Sequence, residues 1–120
     1  MSTMGREMTA LRLLPLPIHS ALEMLVGLVL IIAPFALGLS TPALVAGVFI
    51  GALVAGLGLQ TLDPDTTSVS AHHAADHGIA IGLAGAAIVF TSVDASAAVL
   101  FGIAAVAQLT LNLTTRYTAR

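Results

Sequence analysis

The sequence is poor in charged residues and contains neither cysteine nor tryptophan. Only 8% of its 120 residues are charged, against roughly 25% in a soluble domain, and 58% are hydrophobic. So few charges cannot build a water-facing surface, and lipid is therefore the expected surroundings of the chain. The lack of cysteine excludes disulfides, thiolate metal sites and cysteine nucleophiles.

Positive charge is confined to the ends of the chain, since lysine is absent. The arginines are Arg6, Arg12, Arg116 and Arg120. The net charge is −2, and without a basic patch a nucleic-acid partner is not expected. A cleaved signal peptide is not expected either, because the first apolar segment is longer than the roughly 7–15 residues of such a region.

Four apolar segments approach the length of about 20 residues that a transmembrane helix needs. We predict transmembrane helices over residues 17–39, 42–62, 70–91 and 95–113. The chain is thus predicted to be one membrane domain over residues 1–120, an all-α four-helix bundle of two transmembrane hairpins. An even helix count puts all arginines on one side, which the positive-inside bias makes the cytoplasm. We expect a multi-pass protein of the inner (plasma) membrane with both termini cytoplasmic.

Small residues recur at four-residue spacing on the second and third segments, and more weakly on the fourth. Such stripes let helix backbones approach closely in lipid. The predicted helix-packing residues are Gly47, Gly51, Gly78, Gly82 and Gly102. We expect them to pack within the bundle or, as the alternative, in a homo-oligomer or against a partner membrane subunit.

The chain also shows an internal repeat. A shift of 53 residues sets His19-x-x-x-Glu23 on His72-x-x-x-Asp76, near the start of the first and third helices. If both hairpins share one orientation, an axis along the membrane normal relates them. The two histidine–acid pairs are then expected at similar depth.

Residues 72–77, HHAADH, hold three of the four histidines. On a helix His73, Asp76 and His77 converge, because residues three and four apart share a face. His72 points about 100° away from His73, and we interpret it as a solvated residue of the headgroup zone. Glu23 lies within an apolar run, where an ionisable group is costly unless partnered. The predicted site on the cytoplasmic side therefore comprises His19, Glu23, His73, Asp76 and His77.

Histidine with carboxylate suits a divalent transition metal such as zinc or iron, and the same groups can relay protons because histidine titrates near physiological pH. Haem held by His19 with His73 or His77 is a variant of this hypothesis. The alternative is a structural or accessory membrane subunit. An enzyme is less expected, since no nucleophile motif, Walker sequence, G-x-G-x-x-G loop or sizeable soluble domain is found.

Gly27 and the stretch APFALGL (residues 33–39), followed by an alanine- and glycine-rich helix, resemble the SPW-repeat membrane proteins of prokaryotes. That family carries Ser-Pro-Trp near the end of the first helix of a two-helix repeat. Here Ala33 and Phe35 flank Pro34 in place of serine and tryptophan. The resemblance covers residues 19–60 well and 72–113 poorly. It implies a two-hairpin membrane architecture and carries no biochemical activity.

Overall fold

The computed structural model describes residues 13–60 and 69–116. Four helices fill these ranges: α1 (Leu16–Ala36), α2 (Thr41–Gln60), α3 (Val69–Phe90) and α4 (Ala95–Thr114). The described residues form no strand, apart from one isolated bridge between Leu14 and Thr115. Each helix is long and apolar enough to cross a membrane. The predicted all-α, four-helix membrane architecture is confirmed. The predicted turn at residues 63–68 lies outside the described residues.

The distribution of polarity is the reverse of that in a soluble protein. Large apolar side chains point outward along every helix, including Ile32, Phe49, Ile81 and Ile103. Polar side chains lie inside, and His19, Glu23, Asp76 and Gln108 are fully buried. Contact of this apolar exterior with water would be unfavourable because of the hydrophobic effect, whereas contact with lipid tails is not. The chain is therefore a multi-pass membrane protein.

Helix α1 ends three residues earlier than the sequence predicted, and Gly38 is the reason. It has a positive φ of 64°, which glycine adopts without steric cost. The N–H of Leu39 donates to the carbonyl of Pro34 and the N–H of Gly38 to that of Phe35, at 2.9 and 3.2 Å. These two bonds form a Schellman motif, which satisfies carbonyls that the helix end leaves free.

Helices α1 and α2 pack backbone to backbone through glycines. A Cβ added to Gly51 would lie 2.6 Å from the carbonyl oxygen of Gly27, and one added to Gly27 would lie 2.5 Å from the backbone nitrogen of Ala55. Further towards the turn, an added Cβ on Gly47 would lie 2.7 Å from Pro34. The structure thus places Gly47 and Gly51 in a contact between helices, with Gly27 as their counterpart on α1.

Helices α3 and α4 pack differently. Their contact includes the rings of Phe90 and Phe101, whose centroids lie 5.2 Å apart. Gly78 and Gly82 lie on the exposed side of α3, and a Cβ added there would meet no atom of the described chain within 4 Å. Gly102 makes an ordinary contact, since its added Cβ would lie 3.8 Å from that of Ala87. The packing that we expected of Gly78 and Gly82 is therefore not found within the bundle.

The two hairpin turns meet at one end of the bundle. The backbone N–H of Ser40, just before α2, donates to Asp94 Oδ2 at 2.9 Å. The other carboxylate oxygen of Asp94 caps α4 by accepting from the N–H of Ala97 at 3.2 Å. At the opposite end, the N–H of Leu14 donates to the carbonyl of Thr114 at 2.9 Å. These contacts hold the two hairpins in the same orientation.

Replacing Asp94 with alanine is expected to lower the melting temperature of the protein in detergent by several degrees. Bonding to the backbone N–H of Ser40 lowers the pKa of Asp94. Because the folded pKa lies below the unfolded one, the stabilisation is fully present above the ordinary carboxyl pKa and is lost as the pH falls through the folded value. The difference from wild type should therefore shrink in acid. Ser92→Ala in the same turn is the control, and equal melting of Asp94→Ala and wild type at neutral pH would contradict this role.

Candidate metal centre

Two histidine–acid pairs from α1 and α3 meet inside the bundle. His19 and Glu23 lie one turn apart on α1, and His72 and Asp76 lie one turn apart on α3. Each of the four side chains is at most 2% exposed. The 53-residue repeat brings its two copies face to face, with the imidazole rings of His19 and His72 edge to face and 5.9 Å apart. We call these four residues the buried cluster.

Every histidine of the buried cluster contacts both carboxylates through its Nε2 atom. The Nε2 of His19 lies 2.9 Å from Asp76 Oδ2 and 3.3 Å from Glu23 Oε2. The Nε2 of His72 lies 3.2 Å from Asp76 Oδ2 and 3.3 Å from Glu23 Oε1. Four nitrogen–oxygen contacts therefore surround one point between α1 and α3.

These separations are slightly shorter than those between neighbouring ligands of a tetrahedral metal ion. Four tetrahedral ligands at about 2.0–2.2 Å from a metal lie roughly 3.3–3.6 Å from one another. The four contacts measure 2.9–3.3 Å, and one ligand atom from each residue can be chosen so that all lie within 4.8 Å of one another. To form a tetrahedral shell, the shortest contacts would have to lengthen by a few tenths of an ångström, and any separation near the 4.8 Å limit would have to shorten by about 1 Å.

Helix α4 and the residue after it orient His19. Thr115 donates its hydroxyl to the carbonyl of Leu111 at 2.6 Å. Its oxygen lies 2.7 Å from His19 Nδ1 and is left to accept a hydrogen bond from that nitrogen. With the proton on Nδ1, a neutral His19 presents the lone pair of Nε2 to the centre of the cluster. Metal-binding histidines are oriented in the same way by a partner on the other ring nitrogen.

An amide on α4 supports Glu23. Gln108 donates from Nε2 to Glu23 Oε2 at 2.8 Å and to Asn112 Oδ1 at 3.0 Å. Both amides are fully buried. Together with the contacts to His19 and His72, this bond supplies the partners that a buried Glu23 requires. Sequence reasoning missed Gln108 and Asn112, although a polar pair four residues apart in an apolar helix is a usable signal.

The structure brings together three of the five predicted ligands, His19, Glu23 and Asp76. The fourth member of the cluster is His72, which we had interpreted as solvated, and that interpretation is wrong because the residue is 1% exposed. His73 and His77 lie apart from the cluster and contact each other, with their Nε2 atoms 2.8 Å apart.

The negative charge of the buried carboxylates has to be compensated. Two carboxylates without compensation in an apolar interior would be strongly unfavourable. Protons on the imidazoles or carboxylates, or a divalent ion between neutral imidazoles, each supply the compensating charge. Chemically the arrangement is therefore suited to hold a metal ion, protons, or each in turn.

Comparison with known proteins adds no relative: no family model, curated protein or solved structure matches the chain. The class defined by fold and site is a small multi-pass membrane protein with a buried histidine–carboxylate cluster that could hold a metal ion.

Proposed function

We propose that the protein binds one divalent transition metal ion at His19, Glu23, His72 and Asp76. The observation that carries the proposal is the ring of four imidazole–carboxylate contacts at 2.9–3.3 Å, closed off from the surroundings. Each ligand is supplied from a helix, so little ordering is required when the ion binds. Two carboxylates also neutralise a divalent ion, which removes the cost of burying its charge.

The ligand set favours zinc, ferrous iron or manganese. Imidazole suits zinc and iron, whereas ions that prefer oxygen alone, such as magnesium and calcium, gain little from two histidines. Copper(I) favours thiolate and thioether ligands, and the cluster contains neither. Haem held by His19 with His73 or His77 is disfavoured, because His19 Nε2 contacts Glu23 and Asp76, whereas His73 and His77 contact each other outside the cluster.

Proton handling by the same four residues is the second candidate function. It is favoured by the continuous contacts from His19 through Asp76 to His72 and on to Glu23. Metal binding requires neutral imidazole, so the two functions exclude each other at any one moment. A measurement of metal content separates them.

Elemental analysis of protein purified in detergent without a polyhistidine tag tests the proposal. After dialysis against a limiting mixture of ferrous iron and manganese, we expect about one tightly held divalent ion per chain. Loss of that ion in the double variant His19→Ala, His72→Ala would place it in the cluster. Protein that stays folded and retains no ion would contradict metal binding and leave proton handling.

We further propose a plasma-membrane location in a prokaryote, with the chain ends cytoplasmic and kinship with the SPW-repeat proteins. The arginine distribution supports the orientation, and the paired hairpins support the kinship. Because the chain lacks cysteine, single cysteines at positions 66 and 92 can be labelled from outside intact cells. We expect labelling of Ser92→Cys and not of Thr66→Cys, and the opposite pattern would reverse the orientation.

A further inference from the structure

The two histidines outside the buried cluster form a pair of their own on α3. His73 and His77 lie one turn apart, with ring centroids 4.6 Å apart and Nε2 atoms 2.8 Å apart. Both side chains are half-buried, unlike the enclosed His72 and Asp76 beside them in the sequence. The chain has four histidines, so this pair and the buried cluster account for all of them.

The geometry of the pair is that of a chelate. Two histidines four residues apart on one helix face can bind a single ion, as in helical zinc motifs. Neighbouring ligands at about 2.0–2.1 Å from a metal lie roughly 2.8–3.4 Å apart, depending on coordination number. The observed 2.8 Å between the two Nε2 atoms falls at the short end of this range. The two Nε2 atoms share a hydrogen bond, which an ion held by both nitrogens would replace.

His73 and His77 do not take part in the buried cluster, because they lie on a different side of α3. Successive helical residues point about 100° apart, so His72 faces the interior while His73 lies on the flank of α3. The Nε2 of His72 is directed at Glu23 and Asp76, whereas that of His73 is directed at His77. The two groups of ligands therefore define two centres.

We propose that His73 and His77 form a second divalent-metal site that binds through imidazole alone. Two imidazoles with the remaining positions open to water or headgroup oxygens favour nickel, copper(II) and zinc. Manganese prefers carboxylate oxygens, and the pair offers none. The site goes beyond the proposed function, because neither site supplies a ligand to the other.

Manganese and nickel titrations of tag-free protein in detergent, followed by equilibrium dialysis, test the second site. We expect wild type to bind about one manganese ion and about two nickel ions. His77→Ala should lose one nickel ion and keep its manganese, which also shows that the variant is folded. His73→Ala should behave in the same way, whereas His72→Ala should lose manganese and keep the nickel ion of the pair.

If His77→Ala binds as much nickel as wild type, the proposed second site is wrong. If that variant also retains its manganese ion, the proposed buried site is unaffected. A single nickel ion that is lost in His72→Ala but not in His77→Ala would likewise overturn the second site. Conversely, loss of nickel in His77→Ala from a protein that never binds manganese or zinc in the buried cluster would support the second site and contradict the proposed function.

Discussion

Gly27→Leu is expected to prevent stable assembly of the α1–α2 hairpin. A single Cβ at this position would already lie 2.5 Å from the backbone nitrogen of Ala55, 2.7 Å from the carbonyl oxygen of Gly51 and 2.8 Å from the Cβ of Ala55. Backbone atoms of a helix cannot rotate away as a flexible side chain can. The loss of stability should therefore exceed the roughly 1–3 kcal/mol that overpacking usually costs. Thermal unfolding in detergent, monitored by circular dichroism, measures it.

Gly82→Leu is the matched control for the Gly27 variant. Gly82 also lies within an apolar helix, but a Cβ there meets nothing in the described chain within 4 Å. We expect a melting temperature close to wild type, although the regular spacing of Gly78 and Gly82 had predicted the opposite. Similar melting temperatures for the Gly27 and Gly82 variants would contradict the packing described for α1 and α2.

His72→Ala is expected to abolish tight metal binding by the buried cluster. The change removes one of four ligands, so affinity should fall by more than the roughly 10–100-fold that loss of an orienting partner costs. Removal also leaves Glu23 and Asp76 with one imidazole between them. In the metal-free protein a protonated His72 would form a buried ion pair with these carboxylates. Removal of one partner of such a pair costs about 3–5 kcal/mol, so the metal-free variant should unfold at lower temperature. Competition titration with a chromogenic chelator measures the affinity.

His73→Ala provides the comparison at the neighbouring position. Its imidazole lies outside the buried cluster, so manganese affinity and stability should stay near the wild-type values. Both substitutions remove a histidine side chain, and the two residues are adjacent. The expected difference in manganese affinity therefore comes only from the direction in which each imidazole points. An equal loss of manganese affinity in both variants would show that the cluster is not assembled as described.

The positions and number of the helices could be predicted from the sequence, because long apolar runs separated by polar turns are compatible with few structures other than transmembrane helices. The repeat of 53 residues aligned His19 with His72 and Glu23 with Asp76, and these are the four residues that meet. We nevertheless predicted His73 and His77 as ligands, because they share a helix face with Asp76. His72 lies one turn from Asp76 and meets the same criterion. A helix that is apolar on nearly all sides does not reveal which side faces its neighbours.

For the same reason, the sequence did not show which glycines contact a neighbouring helix. Gly47 and Gly51 contact α1, while Gly78 and Gly82 lie on an exposed side with the same four-residue spacing. Spacing indicates a face that permits close approach, but the partner determines whether the approach occurs. The counterpart of the α2 stripe is Gly27, an isolated glycine on α1, and only the packed hairpin identifies it.

X-ray absorption at the zinc edge tests the buried metal centre most directly. The sample is His77→Ala protein loaded with one equivalent of zinc, so that the pair on the flank of α3 cannot contribute. The spectrum should fit about four nitrogen and oxygen ligands at roughly 2.0–2.1 Å, with scattering from two imidazoles that falls to one when His72 is also replaced by alanine. A shell of oxygen ligands alone, or an imidazole signal unchanged by removal of His72, would contradict a metal site at His19, Glu23, His72 and Asp76.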